Sequence, residues 1–537
     1  YVATLKPDKK TGLRGAVLLS VGTFEISTPL RINASGVVLR GSDKNKTILL
    51  KTGIDRGAAV YMEGKDDRRM GDTLWITDAT VKAGCRTLSV SGSLKVGQEV
   101  MITRPSTIEW IRALDCESFG GGKELGYWGW HPGDIDITWD RTTTMPTAME
   151  TGGVQLDAPL TTALDSKYGK SYIIPYTWKG RIHDCGMENL TIQSTYDTQY
   201  PKDEDHCWDG IYIANAKDCW VRMASFAHLS GSAVIIHRGA EQITVEDCIS
   251  HEPVSEIGGM RRRTFYTLGE KCLFQRCYSE QGINDFAAGF CAAGPNAFVQ
   301  CESKESLGFS GSISSWASGL LFDCVNIDGN DLLFRNLELD KYGAGWNTGN
   351  STLWQCTASG IDCYQSGDDA SNVAYGCWGQ FKGNGTFEQV NEHVKPYSIY
   401  ADLLHKRLNR DVSEQCRVLE RNTNASSSPS MEEAQQMTQE ALRPRLTMRM
   451  WIDSARFVPS VSPKGCQYVD ELKIASDNTS GDQILSTPVI SIKDGRLVNQ
   501  NALMTGGKEQ SPWWNGRLRY TAIPKAKYGI TRFVPRS

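Results

Sequence analysis

The stretch TVEDCISHEPVSEIGGMRRRTFYTLGEKCLFQRCYSEQGINDFAAGFCAAGPNAFVQC, residues 244–301, contains one short pattern three times. TVEDC ends at Cys248, LFQRC ends at Cys277 and FVQC ends at Cys301. Each copy is a short apolar or alternating run, typical of a β-strand, that ends on a cysteine. Three copies at similar spacing predict a repeating fold in which each cysteine occupies the same position of its turn.

The pattern continues on both sides of this stretch. We call the position of the cysteine in each copy the slot. In further copies the slot falls on Met223 in CWVRM, Cys324 in LFDC, Cys356 in LWQC and Cys377 in AYGC, so successive slots lie 21 to 32 residues apart. The units contain strands and Gly, Asn or Asp turns but no helical periodicity. This spacing predicts an all-β solenoid, the right-handed parallel β-helix, in which equivalent residues stack about 4.8 Å apart.

The chain contains sixteen cysteines, which raises the question of disulfides. Cysteine is small, apolar and often buried, so a column of cysteines inside the coil is physically reasonable. We expect structural thiols, with oxidation of neighbouring slots as the alternative.

The repeat divides the chain into regions. We expect N-terminal turns of the β-helix at 1–70, a β-rich insertion at 71–178, the central β-helix at 179–395, a helical segment and linker at 396–445, and a small β-rich region at 446–537. The helical segment includes the amphipathic run YSIYADLLHKRL, and a second helix is expected to begin near Ser430.

Composition excludes two classes of partner. The formal net charge is −4, whereas a nucleic-acid-binding protein usually carries a basic surface. No run approaches the roughly 18 apolar residues that span a bilayer. The chain opens at Tyr1 without a leader, which fits a mature secreted, periplasmic or cell-surface protein, or a trimmed chain.

Four segments resemble a bacterial family of pectate-lyase-like right-handed β-helix proteins: PVSEIGGMRRRTF, QRCYSEQGINDFAAGFCAAGPNAFVQC, SSWASGLLFDCV and GAGWNTGNSTLWQC. The resemblance implies a polysaccharide or oligosaccharide partner, because such proteins mostly cleave glycans as lyases or hydrolases. A minority are esterases, epimerases or phage adhesins. The family often has a histidine where Asn284 stands and a Pro-His-His-Arg-Trp run where residues 312–316 stand. This chain departs from the family there, so its mechanism need not be the shared one.

The slot serves as a ruler for side chains on successive turns. Three residues beyond it stand Phe226, His251, Glu280, Lys304, Ile327 and Ser359, and one step further stand Glu252, Gln281 and Glu305. Stacked ionisable groups shift each other's pKa values and can act as acid and base. His251, Glu280 and Lys304 are therefore candidate catalytic residues, and a solvated polar stripe is the alternative.

The run Arg261-Arg262-Arg263 falls in a longer loop between two turns. A guanidinium group binds a carboxylate through two parallel hydrogen bonds. Arg262 and Arg263 are candidates to hold a uronate and to stabilise the charge that develops when its α-proton leaves. The alternative is pairing of these arginines with glutamates nearby, among them Glu256.

Carboxylate pairs offer a second chemistry. Glycoside hydrolysis uses two carboxylates roughly 5 to 10 Å apart, and Asp285 with Glu280 or Glu256 could supply them. Asp285 could instead hold a turn by accepting backbone N–H bonds. Asn284 and Glu256 are candidate substrate-binding residues.

Two weaker signals concern ligands. Trp316 and Trp346 could stack on sugars or pack in the core. The segment DEDHCWDG, residues 203–210, could be a Ca²⁺ site or a charged surface turn.

Three functions remain open from the sequence. The first, slightly favoured because the basic cluster is better defined than any carboxylate pair, is a lyase that cleaves an acidic polysaccharide by β-elimination, with His251 or Lys304 as base. The second is a glycoside hydrolase that uses paired carboxylates. The third is a non-catalytic glycan-binding or adhesion protein.

Overall fold

A coil of parallel strands forms most of the protein. The computed structural model describes residues 1–119, 129–146, 153–338, 345–367, 370–419, 430–441 and 447–460. Each turn of the coil places strands on three faces, and every strand pairs in parallel with equivalent strands of the neighbouring turns. The predicted right-handed parallel β-helix is confirmed.

The first face is a separate sheet whose strands run in chain order along the coil. Its strands are Gly15–Leu19, Val37–Gly41, Gly186–Glu188, Ala216–Arg222, Glu241–Glu246, Leu273–Gln275, Asn296–Val299, Leu320–Asp323, Ser351–Trp354, Asn372–Tyr375 and Thr386–Glu388, with Ile182–His183 beside Ala216–Arg222.

The second and third faces merge where long strands turn from one to the other. The second face contains Gly22–Ile26, Thr47–Lys51, Thr191–Ser194, Ser225–Ala227, Ile249–His251, Tyr278–Glu280, Glu302–Lys304 and Asn326–Ile327. The third contains Leu30–Ile32, Ala58–Glu63, Asp209–Ala214, Val234–Ile236, Arg263–Thr267, Asn284–Ala288, Ser310–Ser312 and Leu332–Phe334. Thr357–Cys363 and Trp378–Lys382 belong to both, and Ala317–Ser318 pairs with Thr348–Gly349 nearby.

The cysteine slot is a buried column inside the coil. The register pairs Glu246 with Gln275, and this places Cys248, Cys277 and Cys301 at equivalent positions just beyond the first face. All three are fully buried, and the fifteen cysteines of the described ranges are free thiols. The expected structural thiols are therefore confirmed for that part of the chain.

At two turns the predicted slot is wrong by one residue. The register places Val325 and Ala224 in the column, not Cys324 and Met223. Both displaced residues lie at the corner before the slot, where the backbone is left-handed, with φ of 57° at Cys324 and 49° at Met223. Asp247, before Cys248, has the same conformation, with φ of 54°. An apolar run that ends on a small residue does not reveal which residue forms the corner.

An antiparallel insertion covers the outer surface of the third face. Its strands are Arg69–Met70, Leu74–Trp75, Thr80–Val81, Thr87–Ser89, Glu99–Arg104, Ile137–Pro146, Gly153–Leu156, Leu164–Asp165 and Tyr172–Thr177. It also contains the helix α1, Ile108–Ala113, and the 3₁₀ turn Ser166–Tyr168; a second 3₁₀ turn is Val2–Thr4. Apolar side chains of the insertion form one core with outward side chains of the third face, such as Ile235 and Tyr266.

Helices after the last turn lie against the other two faces. The first two are α2, Ile399–Leu408, and α3, Ser413–Cys416, which pack on Leu273 and Trp354 of the first face. The helix α4 is Met431–Ala441, and α5 is Met448–Ser454 on the second face. Within the described ranges no helix is long and apolar enough to span a bilayer. Residues 421–429 of the expected linker and residues 461–537 of the expected β-rich region lie outside the described residues.

Candidate functional site

A polar column stands on the second face of the coil. Glu280 pairs with Lys304 on the next turn, and Ser250 pairs with Ser279, so His251 follows at the position equivalent to Glu280. The predicted stacking of His251, Glu280 and Lys304 therefore exists. On the turn before, Ala227 pairs with His251, which corrects the expected Phe226 by one residue.

A second column runs beside the first, one residue further along each strand. It consists of His228, Glu252, Gln281 and Glu305, whose φ values of 61°, 51°, 53° and 53° place each at a left-handed corner. His228 Nε2 lies 3.1 Å from Glu252 Oε2, and Gln281 Nε2 donates to Glu305 Oε2 at 3.0 Å. We call the two columns together the polar ladder.

His251 is the residue of the polar ladder best placed to accept a proton. Its side chain is 20% exposed, whereas its Nδ1, 3.9 Å from Glu252 Oε2, is buried and has no hydrogen-bond partner among the described residues. Burial, and then the positive charge of Arg449, lower the pKa of His251. The imidazole is therefore neutral near pH 7 and can act as a base.

Arg449 of α5 joins the polar ladder, although sequence reasoning did not select it. Its Nη1 donates to Glu280 Oε1 at 2.6 Å, and the Tyr278 hydroxyl donates to the same oxygen at 3.0 Å. The Arg449 side chain is 39% exposed. One N–H group of the guanidinium is thus engaged with Glu280, and the fork remains accessible from solvent.

Apolar contacts hold α5 on the second face. Met448 and Ile452, four residues apart on one side of the helix, pack on Ile249 and Tyr278. The Thr447 hydroxyl caps the helix by accepting from the Met450 N–H at 3.2 Å. Thr447 and the apolar pair are visible in the sequence, but their docking site some 170 residues earlier is not.

Arg262, expected to bind substrate, is a structural residue. It is 7% exposed, and its Nε and Nη2 donate to the hydroxyl and the carbonyl oxygen of Ser255, each at 2.9 Å. Its backbone is left-handed, with φ of 51°. The guanidinium therefore closes its own loop and does not present a fork to a glycan.

Arg263 and Asn284 are also buried, as paired neighbours on the third face. The Arg263 guanidinium lies over the Tyr266 ring, 5.1 Å from its centroid. Asn284 Nδ2 donates to the Phe309 carbonyl at 2.8 Å. Arg262 and Arg263 are therefore buried and not available to a glycan, which corrects their predicted role in holding a uronate.

Asp285 also lies in the interior. It accepts from the hydroxyls of Ser279 and Ser306, each at 2.5 Å, and from the Gly282 N–H at 3.1 Å. Burial raises its pKa. Asp285 holds a turn and is buried, so it cannot reach a substrate as the partner of Glu280 or Glu256 in hydrolysis.

The remaining candidate residues occupy different surroundings. Glu256 lies on the surface and pairs with Lys202 at 2.9 Å. Trp316 and Trp346 are 1% and 2% exposed, in the core between the insertion and the coil. Trp316 makes an edge contact with Trp110, at a centroid distance of 5.0 Å. Both tryptophans are packing residues, which corrects the expected sugar platforms.

The segment 203–210 forms a hydrogen-bonded turn. Asp203 accepts from the N–H groups of Asp197 and Asp205, both at 2.9 Å, and His206 Nε2 lies 2.9 Å from the Ser230 hydroxyl. Within the described ranges no group of three His, Cys, Asp or Glu side chains is placed to hold a metal ion. The calcium hypothesis therefore gains no support from these residues.

Comparisons with known proteins match one part of the chain to a family. The family described as "Domain of unknown function (DUF6298)" matches residues 385–537, less than a third of the chain. These residues include α5 and Arg449. A comparison with curated proteins finds no match.

Solved structures with low similarity include viral tailspikes and an enzyme. The tailspike protein gp49 from Pseudomonas phage LKA1 is 12% identical with a TM-score of 0.31, over 70% of this chain and 72% of that chain. The Gp54 tailspike of Acinetobacter baumannii bacteriophage AP22, in complex with A. baumannii capsular saccharide, is 8% identical with a TM-score of 0.27, over 69% and 68%.

The enzyme is the catalytic unit of a GH87 alpha-1,3-glucanase from Streptomyces thermodiastaticus strain HF3-3. It is 11% identical with a TM-score of 0.25, and the match covers 70% of this chain and 62% of the other. Likeness at this level says nothing about substrate or catalytic residues. The pectate-lyase-like relationship suggested by the sequence motifs stays a prediction.

Proposed function

We propose that the protein is a carbohydrate-active enzyme that binds a uronate-containing glycan along the polar ladder and cleaves it by β-elimination. The observation that carries this proposal is the geometry of the polar ladder, in which the partly exposed His251 imidazole, with a lowered pKa, stands one turn from Glu280 and its partner Arg449. A neutral imidazole near the positive charge of Arg449 suits the removal of a proton next to a carboxylate. Such a substrate is met outside the cytoplasm, in keeping with a secreted, periplasmic or cell-surface protein.

The reaction assigns one task to each group. His251 takes the proton from the carbon that bears the uronate carboxyl group, and the electron pair forms a carbon–carbon double bond. The bond from the neighbouring carbon to the glycosidic oxygen breaks, and that oxygen leaves with a proton from solvent. Negative charge that develops on the carboxyl group needs a cation within hydrogen-bond reach.

Arg449 takes the role that sequence reasoning gave to Arg262 and Arg263. Only its Nη1 is engaged with Glu280, and the side chain is 39% exposed, so the other N–H groups can reach a carboxylate. Lys304, one turn beyond Glu280, is 55% exposed and adds a second positive charge. Glu280 ties Arg449 to the coil and so orients it.

Hydrolysis is the second candidate, because Glu252 and Glu280 stand on neighbouring turns, and the Glu252 side chain is 68% exposed. Two carboxylates on one accessible strip are the groups that hydrolysis needs. The positive charges of Arg449 and Lys304 are balanced by the negative charges of Glu252, Glu280 and Glu305. A surface with this balance of charge can also bind a neutral glycan.

A product assay separates these functions. The enzyme is incubated with a panel of uronate-containing and neutral polysaccharides, and the products are followed by ultraviolet absorbance and by reducing ends. Elimination gives an unsaturated uronate that absorbs, and both signals rise together. Reducing ends without absorbance would establish hydrolysis, and binding without either signal would establish a non-catalytic glycan-binding protein.

A further inference from the structure

A cavity lies on the first face of the coil, whereas the polar ladder lies on the second face. It is an open groove with a volume of about 660 Å³ between the coil and the C-terminal residues 414, 415, 417 and 456–460. This volume is within the range of small-molecule sites, which occur preferentially where two parts of a protein meet. Its charged lining consists of Arg222, Glu246, Asp247, Arg276, Glu414, Arg417 and Arg456.

The floor of this groove is built from hydrogen-bonded pairs of opposite charge. Arg276 is buried, and its Nε and Nη2 donate to the two carboxylate oxygens of Asp247 at 2.7 and 3.0 Å. Its Nη1 donates to the Cys416 carbonyl at 2.9 Å, which joins the floor to the C-terminal segment. Arg222 Nε donates to Glu246 at 2.8 Å on the neighbouring turn. Alternating charges are thus fixed in place before any ligand arrives.

The rim contributes two arginines with spare donors. Arg417 is 35% exposed, and its Nη1 lies 3.6 Å from Asp247 Oδ2, beyond hydrogen-bond distance. Its Nε donates to the Glu414 carbonyl at 3.2 Å. Arg456 is exposed and makes no hydrogen bond or ion pair with any residue that the structure describes. Both guanidinium groups can therefore bind an anion entering the groove.

The mixture of charges selects the ligand. A free phosphate gains from the rim arginines but is repelled by Glu246, Asp247 and Glu414, which line the same cavity. A sugar acid has a carboxylate for the arginines and hydroxyl groups that donate to the carboxylates. Met223 and Phe457 add apolar surface against which a sugar ring can pack.

We propose that this groove is a second binding site, specific for an acidic oligosaccharide, and that it acts independently of the polar ladder. The site holds a glycan without cleaving it, because the described lining contains no histidine and its two buried carboxylates, Glu246 and Asp247, are paired with arginines. It adds glycan affinity on a face that the proposed reaction does not use.

Calorimetric titration with trigalacturonate tests the proposal in the full chain that carries His251→Gln, which slows turnover. We expect binding at the groove to weaken about tenfold or more in Arg417→Ala/Arg456→Ala, because each lost guanidinium removes charge-assisted hydrogen bonds. Arg410→Ala removes an exposed arginine outside the groove and should leave binding unchanged. Circular dichroism confirms that each variant is folded, and the single variant Arg456→Ala repeats the test with a smaller perturbation.

Two results would overturn the groove site: trigalacturonate affinity in the double variant within twofold of the parent, or displacement of trigalacturonate by inorganic phosphate at equal concentration. Arg449→Ala distinguishes this proposal from the function of the polar ladder. If Arg449→Ala leaves binding intact while the groove variants lose it, the ladder proposal fails and the groove site stands.

Discussion

Charged residues of the second face and of the arginine run have opposite surroundings, although both lie within the same two turns. His251 and Glu280 reach the surface beside α5, whereas Arg262 and Arg263 are buried. The difference arises because the second face is only partly covered, while the loop at 254–262 folds over its own arginine. Charge in a sequence therefore indicates a site only when the packing around it leaves that charge accessible.

The largest effect should come from the base. We expect His251→Gln to lower kcat/KM for glycan cleavage by about 10² to 10⁴, because general base catalysis is lost. The free energy of unfolding should change by less than about 1 kcal/mol, since the imidazole is partly exposed. His405→Gln, at an exposed position of α2, is the matched control for activity. Full activity of His251→Gln would remove His251 from the mechanism.

Arg262→Ala tests the other side of the comparison. Losing the bonds to Ser255 should destabilise the fold by about 2 to 4 kcal/mol, because buried hydrogen bonds to a charged group are broken and their acceptors stay buried. Residual activity per folded molecule should match the wild type. Urea denaturation measures the first quantity, and cleavage assays below the unfolding midpoint measure the second. If the variant keeps its stability but loses its activity, Arg262 is a functional residue and not a structural one.

The smallest effect concerns pH. Because the pKa of His251 is lowered from 6.5, the acid limb of the activity profile should lie below pH 6.5. Arg449→Ala removes one cause of that lowering, so the limb should move to higher pH by less than about one unit, in addition to any loss of rate. Arg410→Ala should leave the limb in place. A limb that moves down in Arg449→Ala would contradict this electrostatic link.

Stability should follow the same titration. A lowered pKa means that the unfolded chain binds the proton of His251 more readily than the folded one. Its contribution to stability is thus present above pH 6.5 and declines as pH falls through the folded-state pKa.

The sequence predicted the second face better than the loops. Strand pairing repeats along the coil, so a ruler laid on Cys248 and Cys277 located His251 and Glu280 correctly. The same ruler was wrong at Cys324, because a corner residue and a slot residue look alike in an apolar run. The role of Arg449 could not be predicted from the sequence, because its partner Glu280 lies 169 residues away in the chain.

By itself, the sequence determined the parallel β-helix, the buried thiol column and the stacking of His251, Glu280 and Lys304, since all three depend on local periodicity and on one backbone register. Only the tertiary structure decided which candidate side chains are accessible. It buried Arg262, Asp285 and Trp316, and it brought Arg449 to Glu280. The physical reason is that exposure depends on which distant segments cover a face, and apolar contacts between those segments leave no periodic signal in the chain.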